Sequence, residues 1–468
     1  MKLVYGIKDR PSFGKNLVFA FQQMIAIMAA TLLVPILVSG AGLKCDPAAA
    51  LFGAGAGTIV YLLFTRFKSP VFLGSSFTFL GALCTAAGQN YGYWGLIIGV
   101  TFAGLVYAVI ALIIKFVGAG WIKKLLPHVI IGPILAIIGL SLSGTAGSWM
   151  MYNGGSEYGL WYILVGLVTF VAIVVASTKG GKAIRLIPFI VGIGVGLVFA
   201  ILLTCIGLAT NYKAMQIVDF TPIKECFAPL RFQSFFDYPK FTFLEAIKQG
   251  KTAELNGAAI GNLAILFVPI AVVELAQHIS DHENLSNIVE KELLDDPGLH
   301  NTLLGDGVGS VGAFFGGCAN TTYGESISCV ALSKNGSTYT ILTTAIMCML
   351  VSFVSPFVAI INMIPKCVMG GACIAMYGFI SVSGLQMLKD VDLGDHRNLY
   401  PVAAILVIGI GGVTLDFGKN ALTGGALFQL TALALAMLVG IIVNYITHSG
   451  KNNEADVEEE KPDSVVTD

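Results

Sequence analysis

The sequence predicts an all-α membrane protein that crosses the bilayer about fourteen times. The chain has 468 residues, of which 56% are hydrophobic and only 12% are charged, and its mean hydropathy is +0.81. Soluble domains carry roughly twice that charged fraction. Apolar runs of about 18 residues or more recur from one end of the chain to the other, as bilayer-spanning helices require. The alternating segments of about ten residues that a membrane β-barrel needs do not occur in the sequence.

The predicted spans follow these apolar runs. In chain order they cover residues 17–39, 47–65, 71–88, 94–117, 126–148, 158–177, 187–210, 256–283, 301–317, 322–334, 337–362, 366–387, 399–415 and 422–447. The polar, basic N-terminus that precedes them has no short apolar core with a cleavage site. We therefore expect the first run to be a retained span and not a signal peptide.

Basic residues fall in alternate connections and predict the orientation. They are Lys2, Lys8, Arg10 and Lys15 before the first span, then Arg66, Lys68, Lys123, Lys124, Lys179, Lys182 and Arg185. Connections between these, such as 86–95 and 148–159, lack Lys and Arg and are aromatic. Because cytoplasmic loops carry the excess of Lys and Arg, we expect a multi-pass protein of the cell membrane with both termini in the cytoplasm.

The spans divide the chain into five predicted regions. These are a cytoplasmic N-terminus at 1–16, a first half with segments one to seven at 17–210, an extracellular or interfacial connection at 211–255, a second half with segments eight to fourteen at 256–447, and a cytoplasmic tail at 448–468. The long connection mixes aromatic and basic residues, which suits a membrane-surface segment as well as a plain external loop. The acidic, polar tail is expected to be disordered and to carry no chemistry.

Composition also limits the partners and cofactors. The net charge of −1 gives no basic field that would favour nucleic acid. The nine cysteines show neither CxxC nor Cys/His metal spacing, and most lie in apolar runs, where cysteine acts as a small hydrophobe. We therefore expect no metal site and no cofactor. The lipid bilayer is the one partner that composition alone predicts.

Two apolar segments are interrupted by small and hydroxyl-bearing residues. One is SPVFLGSSFTFLGAL at 69–83, and the other is GGCANTTYGESISCVAL at 316–332. Either could simply allow helices to pack closely. However, they fall in the third and tenth segments, which are the third of each half, and broken segments at matching positions are typical of transporters built from inverted repeats. Non-helical backbone at membrane depth lines a cavity or is buried in protein. We expect the substrate site here.

The eighth span carries a polar face. At 100° per residue, Glu274, Gln277, His278 and Asp281 share an arc of about 100° on an otherwise apolar helix. Ionisable residues inside spans usually mark a substrate or ion pathway. A frayed cytoplasmic helix end explains 278–284 partly, but it does not explain Glu274, which lies among apolar residues. The face predicts an internal cavity that contains water.

A second candidate group follows in the tenth segment. Glu325 comes directly after Tyr323-Gly324, at a predicted junction of strand and helix. The start of a helix offers free backbone N–H groups and a partial positive charge. Such a junction suits a planar ligand with carbonyl acceptors and ring N–H donors.

At these residues the chain resembles a known family. The chain is similar to the uracil permease branch of the nucleobase–ascorbate transporters, the nucleobase:cation symporter-2 family. The motifs that carry the similarity are NIVEKELLDDPGLHNTLLGDGVGSVGAFFGG followed by NTTYGESI, together with SPVFLGSSFTF, AATLLVPIL and CVMGGACIAMYG. The resemblance covers nearly the whole chain. It implies two inverted repeats of seven segments, a core and a gate domain, short strands in segments three and ten, and a homodimer. The implied activity is nucleobase uptake, coupled in bacteria to protons.

The resemblance also assigns roles to individual residues. Phe77 and Gly324 correspond to positions whose backbone faces the base. Glu325 matches the carboxylate of the family's tenth segment. The resemblance implies that this residue takes part in both substrate binding and proton coupling. Tyr377, in the motif AMYG, matches a tyrosine at the contact between core and gate.

The eighth span departs from the family pattern. Aligned without gaps, Gln277 stands where these permeases carry a substrate-binding glutamate. Asp281 stands where the uracil branch has histidine and where purine-type members often have aspartate. Glu274 is extra, one turn earlier. A shifted register would make Glu274 and His278 the expected Glu-x-x-x-His pair, but it needs a three-residue insertion or deletion within the helix.

The leading interpretation is proton symport of an oxo-nucleobase, uracil first, with xanthine or another oxopurine as the alternative. Burial favours the neutral form of a carboxyl group, so Asp281 and Glu325 are the predicted proton carriers, with His278 in reserve and Glu274 expected to be protonated or hydrogen-bonded. Sodium as the coupling ion stays open, because carboxylates, carbonyls and hydroxyls serve both ions.

Two other function classes are open to such a chain. An anion carrier of related architecture would favour a cationic site, whereas the candidate residues include three carboxylates and neither Lys nor Arg. An enzyme within the membrane would need a nucleophile with its base or a metal cluster, and His278 with Asp281 is too little for either. We therefore expect no catalytic residue and no enzyme.

Overall fold

The computed structural model describes residues 3–118, 121, 127–181, 184–228, 230–310, 312–389, 391–419 and 426–448. Lys2, Lys123, Lys124 and Lys182, on which the predicted orientation partly rests, lie outside these residues, and so does the predicted acidic tail beyond His448.

The first half of the described chain is helical apart from one short strand. Its elements are α1 Phe13–Gly40, α2 Pro47–Phe64, β1 Leu73–Ser75, α3 Leu80–Gly88, α4 Gly92–Val117, α5 His128–Ser141, α6 Ser143–Tyr152, α7 Leu160–Lys179 and α8 Pro188–Ala209. The long connection that follows contains two short helices, α9 Thr221–Phe227 and α10 Thr242–Gln249.

The second half of the described chain is also mainly helical, with three short strands. Its elements are α11 Gly257–Val289, α12 Leu299–Gly309, α13 Gly312–Gly316, β2 Asn320–Thr322, α14 Gly324–Ser333, α15 Thr338–Val351, α16 Ser355–Met363, α17 Lys366–Gln386, α18 His396–Ile410, β3 Leu415–Lys419, β4 Ala426–Leu430 and α19 Ala432–His448. Eight of the described helices are long and apolar enough to cross a membrane. The number fourteen stays a prediction.

The predicted span 337–362 is divided in the structure. The run 337–362 was expected to form one helix, but α15 ends at Val351 and α16 begins at Ser355. Pro356 occupies the first turn of α16, where its missing backbone N–H is tolerated, whereas inside one continuous helix its ring would clash with the carbonyl of residue 352. The sequence therefore breaks the helix here.

The spans predicted at 399–415 and 422–447 also need correction. Their facing ends form an antiparallel hairpin, in which Leu415 pairs with Leu430 and Phe417 pairs with Phe428. The glycine pair 411–412 ends α18, with Gly412 at a φ of +66°, a conformation that glycine adopts without steric penalty. Apolar composition alone did not distinguish these strands from helix.

The helices pack in two groups. One contains α1, α2, α4 and α11 to α15, and the other contains α5 to α8 and α17 to α19. Strands β1 and β2 lie in the first group, where they pair antiparallel with Gly74 opposite Thr321. The described structure thus has the short strands expected in segments three and ten.

Candidate functional site

The two short strands meet where two broken segments approach each other. β1 continues towards α3, and β2 runs into α14, whose first residue is Gly324. Both strands are bonded to helix α2. The Thr58 hydroxyl of α2 accepts from the backbone N–H of Leu73 and donates to its carbonyl, and the Asn320 amide of β2 donates to the carbonyl of Gly53 in α2 at 3.0 Å. Non-helical backbone in a membrane protein needs such partners from the surrounding protein.

The close packing of Tyr323 on strand β1 requires glycine at position 74. A Cβ atom at this position would overlap the ring of Tyr323. The Tyr323 hydroxyl donates to the carbonyl of Ser75 at 2.7 Å, so the ring lies flat against β1. The aromatic ring thus fixes the end of β2, immediately before α14, on the backbone of β1.

A cavity of about 860 Å³ lies beside the strand ends, between the two helix groups. One wall comes from the strand ends, α11 and α14, and the other from α7, the connection before α8, and α17. The polar and aromatic lining residues include Ser76, Phe77, Thr78, Glu274, Gln277, Asp281, Thr321, Thr322, Gly324 and Glu325. Its exposed rim includes Ser177, Arg185, Asn284 and Gln386. The cavity is large enough for a small planar ligand.

Three of the four polar residues predicted on the eighth span face this cavity. Glu274, Gln277 and Asp281 line it, whereas His278 does not and is fully buried. At 100° per residue, His278 lies at one edge of the polar arc and Gln277 at the other. Because α12 and α4 cover the His278 edge, the arc is divided between the cavity and the protein interior, and the expectation of one cavity-facing surface is wrong for His278.

The cavity carboxyl groups have different surroundings. Glu274 is only 2% exposed, and its carboxyl lies next to the hydroxyl groups of Thr78 and Thr321. Asp281 accepts a hydrogen bond of 2.8 Å from the Thr322 hydroxyl. Thr321 and Thr322 are neighbours on β2. Hydroxyl groups of adjacent strand residues thus lie beside both carboxyl groups of α11.

The start of α14 faces open space. A Cβ atom at Gly324 would meet nothing within 4 Å, and Glu325 lies in the first turn of the helix. The free backbone N–H groups of this turn are available to a ligand carbonyl. Gly324 and Glu325 thus offer donor and acceptor groups at the same point of the cavity wall.

Phe77 and Tyr377 connect the two helix groups. Their rings pack edge to face with centroids 6.3 Å apart. Phe77 lines the cavity, while Tyr377 on α17 is only 2% exposed and lies behind it. The structure brings together the two aromatic residues that the family resemblance places at the site and at the contact between core and gate.

Sequence reasoning missed two charged residues. Asp306 on α12 is fully buried and bonded to His278 through Oδ2 and Nδ1 at 2.7 Å. Asp306 is a single carboxylate in the glycine-rich apolar run LLGDGVGSVG. An ionisable residue inside an apolar span usually marks a functional position, and the same reasoning that singled out Glu274 could have found Asp306. Arg185 lines the cavity at its rim, so the statement that no Lys or Arg accompanies the candidate residues is wrong there. Among the described residues no cluster of His, Cys, Asp and Glu is arranged to hold a metal ion.

We expect Gly74→Ala to destabilise the strand crossing, because the added methyl group must displace the Tyr323 ring or the strand. Overpacking of this kind typically costs about 1–3 kcal/mol. The measurement is thermal unfolding of the purified protein together with ligand binding. Gly81→Ala is the matched control, since a Cβ atom there meets nothing within 4 Å. Equal stability and binding in the two variants would show that the crossing tolerates a side chain.

The chain is similar to known permeases over most of its length. The model of the Permease family, Xan_ur_permease, matches residues 14–417. The chain is 37% identical over 448 residues to the uracil permease of Bacillus caldolyticus, and this alignment covers 95% of each protein. It is 31% identical over 442 residues to the uracil permease of Escherichia coli K12, and this alignment covers 93% of this chain and 94% of the relative.

Solved structures show the same fold. The transmembrane domain of the cyanobacterial bicarbonate transporter BicA gives a TM-score of 0.58 at 12% identity, over 93% of this chain and 98% of that one. The murine anion transporter Slc26a9 gives a TM-score of 0.62 at 11% identity, over 94% of this chain and 69% of that one. These likenesses confirm the predicted fold class. The family match over residues 14–417 and the uracil permease relatives at 37% and 31% identity establish that the chain is a member of the permease family and a transporter, not an enzyme.

Proposed function

We propose that this protein takes up uracil across the cell membrane by proton symport. The observation that carries the proposal is the cavity at the strand crossing, where Gln277, Phe77, Gly324 and Glu325 line one wall. The relatives at 37% and 31% identity are uracil permeases, which supports uracil as the base.

The cavity wall offers complementary groups to a lactam. The Gln277 amide both donates and accepts hydrogen bonds, so it suits a ring N–H next to a ring carbonyl. The backbone of Phe77 and the first N–H groups of α14 at Gly324 face the remaining ring edge, and Glu325 accepts from a second ring N–H. Each polar edge of the base then has a partner.

Asp281 and Glu325 are the proposed proton carriers. Both line the cavity, and both adjoin β2, Asp281 through the Thr322 hydroxyl and Glu325 through its place just after the strand. Two carboxylates close to one ligand repel each other when both are ionised, and a proton relieves this repulsion. Substrate and proton would therefore bind together.

Transport requires the cavity to open alternately to the two sides. The rim residue Arg185 and the nearby Lys179 belong to the connections that the predicted orientation places in the cytoplasm. We propose that the cavity is open to the cytoplasm here and that the group with α17 moves against the group with the strands, with the Phe77–Tyr377 contact changing in the cycle. Two inverted repeats at 17–210 and 256–447, cytoplasmic termini and a homodimer complete the proposal, as the family resemblance implies.

Two alternatives remain for the substrate. Asp281, which stands where purine-type members often have aspartate, favours xanthine or another oxopurine within the same mechanism. The fold shared with two anion transporters and Arg185 at the rim favour an anion carrier. Glu274, Asp281 and Glu325 all line the same cavity, and any of these carboxyl groups that is ionised repels an anion, so the nucleobase remains the better match.

Radiolabelled uptake into liposomes separates these functions. The purified protein is reconstituted, and a panel of uracil, thymine, xanthine, adenine, cytosine and bicarbonate is tested with and without an imposed pH gradient. We expect uracil accumulation only with a gradient directed inward, and no bicarbonate uptake. Accumulation that needs a sodium gradient, or a preference for xanthine, would replace the corresponding part of the proposal.

We expect Glu274→Gln to leave uracil transport largely intact while narrowing its pH range. The amide can keep the contacts with Thr78 and Thr321, but it does not ionise. An unpaired buried carboxylate is costly, so Glu274 is expected to be neutral or hydrogen-bonded in the resting protein. Uptake measured across a series of pH values provides the check. Complete loss of binding at every pH would instead make Glu274 a direct ligand, with His278 as its partner in the shifted register.

A further inference from the structure

Behind the cavity wall lies a buried group that the proposed function does not use. His278 on α11 and Thr302 and Asp306 on α12 are each fully buried. The His278 ring bonds to Asp306 Oδ2 through Nδ1 at 2.7 Å and to Thr302 Oγ1 through Nε2 at 3.0 Å. We call these three side chains the His278 group. A carboxylate, an imidazole and a hydroxyl are thus joined in one chain of hydrogen bonds.

The Thr302 hydroxyl has two acceptors at the same distance. It lies 3.0 Å from His278 Nε2 and 3.0 Å from the carbonyl oxygen of Leu299. When it donates to Nε2, the imidazole is neutral, its single proton lies on Nδ1, and the group carries the charge of Asp306. When it donates to Leu299, its oxygen accepts from a protonated Nε2, and imidazolium and carboxylate cancel. One proton is therefore bound at Nε2 by rotation of a hydroxyl, and the hydrogen bond between Thr302 and His278 is kept with its direction reversed.

The neighbouring histidine lacks this property. His282 stacks on His278 with ring centroids 4.2 Å apart. Its Nδ1 donates to the His278 carbonyl at 2.8 Å, and its Nε2 lies 2.7 Å from the Tyr61 hydroxyl. Neither partner is a carboxylate, so a proton taken up here would leave a buried charge without a counter-ion, which is strongly unfavourable.

Other titratable groups face the His278 group from every side. Tyr107 of α4 packs edge to face on the His278 ring with centroids 6.4 Å apart. Tyr61 of α2 interacts electrostatically with Asp306. On α11 itself, Glu274 and Asp281 interact with Asp306 in the same way, in addition to the stacked His282. The charge of the His278 group is therefore felt by both carboxyl groups of α11 in the cavity.

Thr322 connects the group to the cavity directly. Its hydroxyl donates to Asp281 at 2.8 Å, and its backbone N–H lies near the carboxyl group of Asp306. This residue ends β2 two positions before Gly324, where α14 begins. A change of charge on Asp306 and His278 thus acts on the strand that holds the cavity carboxyl.

We propose that His278, Asp306 and Thr302 form a second proton-binding site. Its protonation is coupled to that of Asp281 through Thr322, and it sets the pH dependence of transport. The proposal rests on proton symport. During uptake of the proton, Nε2 gains an N–H bond, the Thr302 hydroxyl turns to Leu299, and the charge of the group changes from −1 to 0. No bond between heavy atoms forms or breaks. His278 and Asp306 act here as positioning residues, because neither lines the cavity.

Thr302→Val tests this site, since valine has nearly the shape of threonine but no hydroxyl. The imidazolium N–H then loses its acceptor, so the proton binds less readily. We expect the pH midpoint of uracil counterflow, measured at equal pH on both sides of the liposome, to move towards acid by about one pH unit or more. Thr302→Ser should restore the wild-type profile. Thr344→Val is the matched control, because Thr344 is equally buried and its hydroxyl bonds to carbonyls of α15 and α1.

Each outcome decides a separate claim. A Thr302→Val profile that differs from the wild type only by a constant factor would show a structural role and overturn the proton site. Should that variant not fold, Asp306→Asn carries the same test, since its amide can donate to Nδ1 but provides no negative charge to pair with an imidazolium; its profile should lose the same titration. A wild-type profile without pH dependence would overturn proton symport itself and the second site with it.

Discussion

We expect Asp281→Asn and Glu325→Gln each to abolish the accumulation of uracil that an inward proton gradient drives. Both carboxyl groups line the cavity, and the amides keep their shape while losing the ability to take up a proton. Uptake should then proceed only until the inside and outside concentrations are equal. Counterflow, which exchanges uracil without net proton movement, should be less affected. The measurement is radiolabelled uracil uptake under an imposed gradient.

Glu254→Gln is the control for these variants, because Glu254 is an exposed carboxylate in the long connection. It should accumulate uracil as the wild type does. If both Asp281→Asn and Glu325→Gln still concentrate uracil against its gradient, the assignment of these carboxyl groups as proton carriers is wrong. Loss in only one of them would identify that residue as the carrier.

The class of fold followed from the sequence because the bilayer imposes a simple rule. Long apolar runs must form helices that satisfy their own backbone, so α1, α4 and α11 were visible in composition alone. The two broken segments were also visible, since glycine and hydroxyl residues replace the expected Leu and Ala at 69–83 and 316–332. Their pairing as β1 and β2 depends on contacts between distant parts of the chain, and the short strands themselves were expected only from the family resemblance.

The hairpin β3–β4 shows where this rule stops. Strand β3, LDFGK, contains Asp416 and Lys419, and only Leu415 and residues 426–430 of the hairpin fall within the two predicted spans. Strand and helix cannot be distinguished by apolar content in short runs. Gly411 and Gly412 marked the end of α18, but nothing in the run itself specified that the chain beyond it would pair with 426–430.

The polar residues of the site were predicted better than their surroundings. Periodicity placed Glu274, Gln277 and Asp281 on one face, and this face lines the cavity. It placed His278 on the same arc, because periodicity gives an angle about the helix axis and not the identity of the packing neighbour. That neighbour is Asp306, about thirty residues later on α12. A pattern within one helix contains no information on such a partner.

Gln277→Ala should weaken the binding of every oxo-base about tenfold to a hundredfold, as expected when a buried ligand group loses its hydrogen-bond partner. Gln277 is partly exposed and lines the cavity between Glu274 and Asp281. Asn284→Ala is the matched control. Asn284 is also an amide on the cavity side of α11, but it lies two turns further on, about 10 Å along the helix axis, at the exposed rim.

Gln277→Glu should change the ranking of the bases or the pH dependence of binding. An ionised carboxylate only accepts hydrogen bonds, whereas an amide also donates, and the glutamate thus cannot serve the ring carbonyl beside the ring N–H. Uracil, thymine and xanthine display such a lactam edge; adenine and neutral cytosine have no ring N–H beside a carbonyl on the pairing edge. A site built on buried polar groups rejects analogues that leave those groups unpaired. Competition binding with these five bases on wild type and both variants decides the question. An unchanged ranking together with undiminished affinity in Gln277→Ala would remove Gln277 from the site.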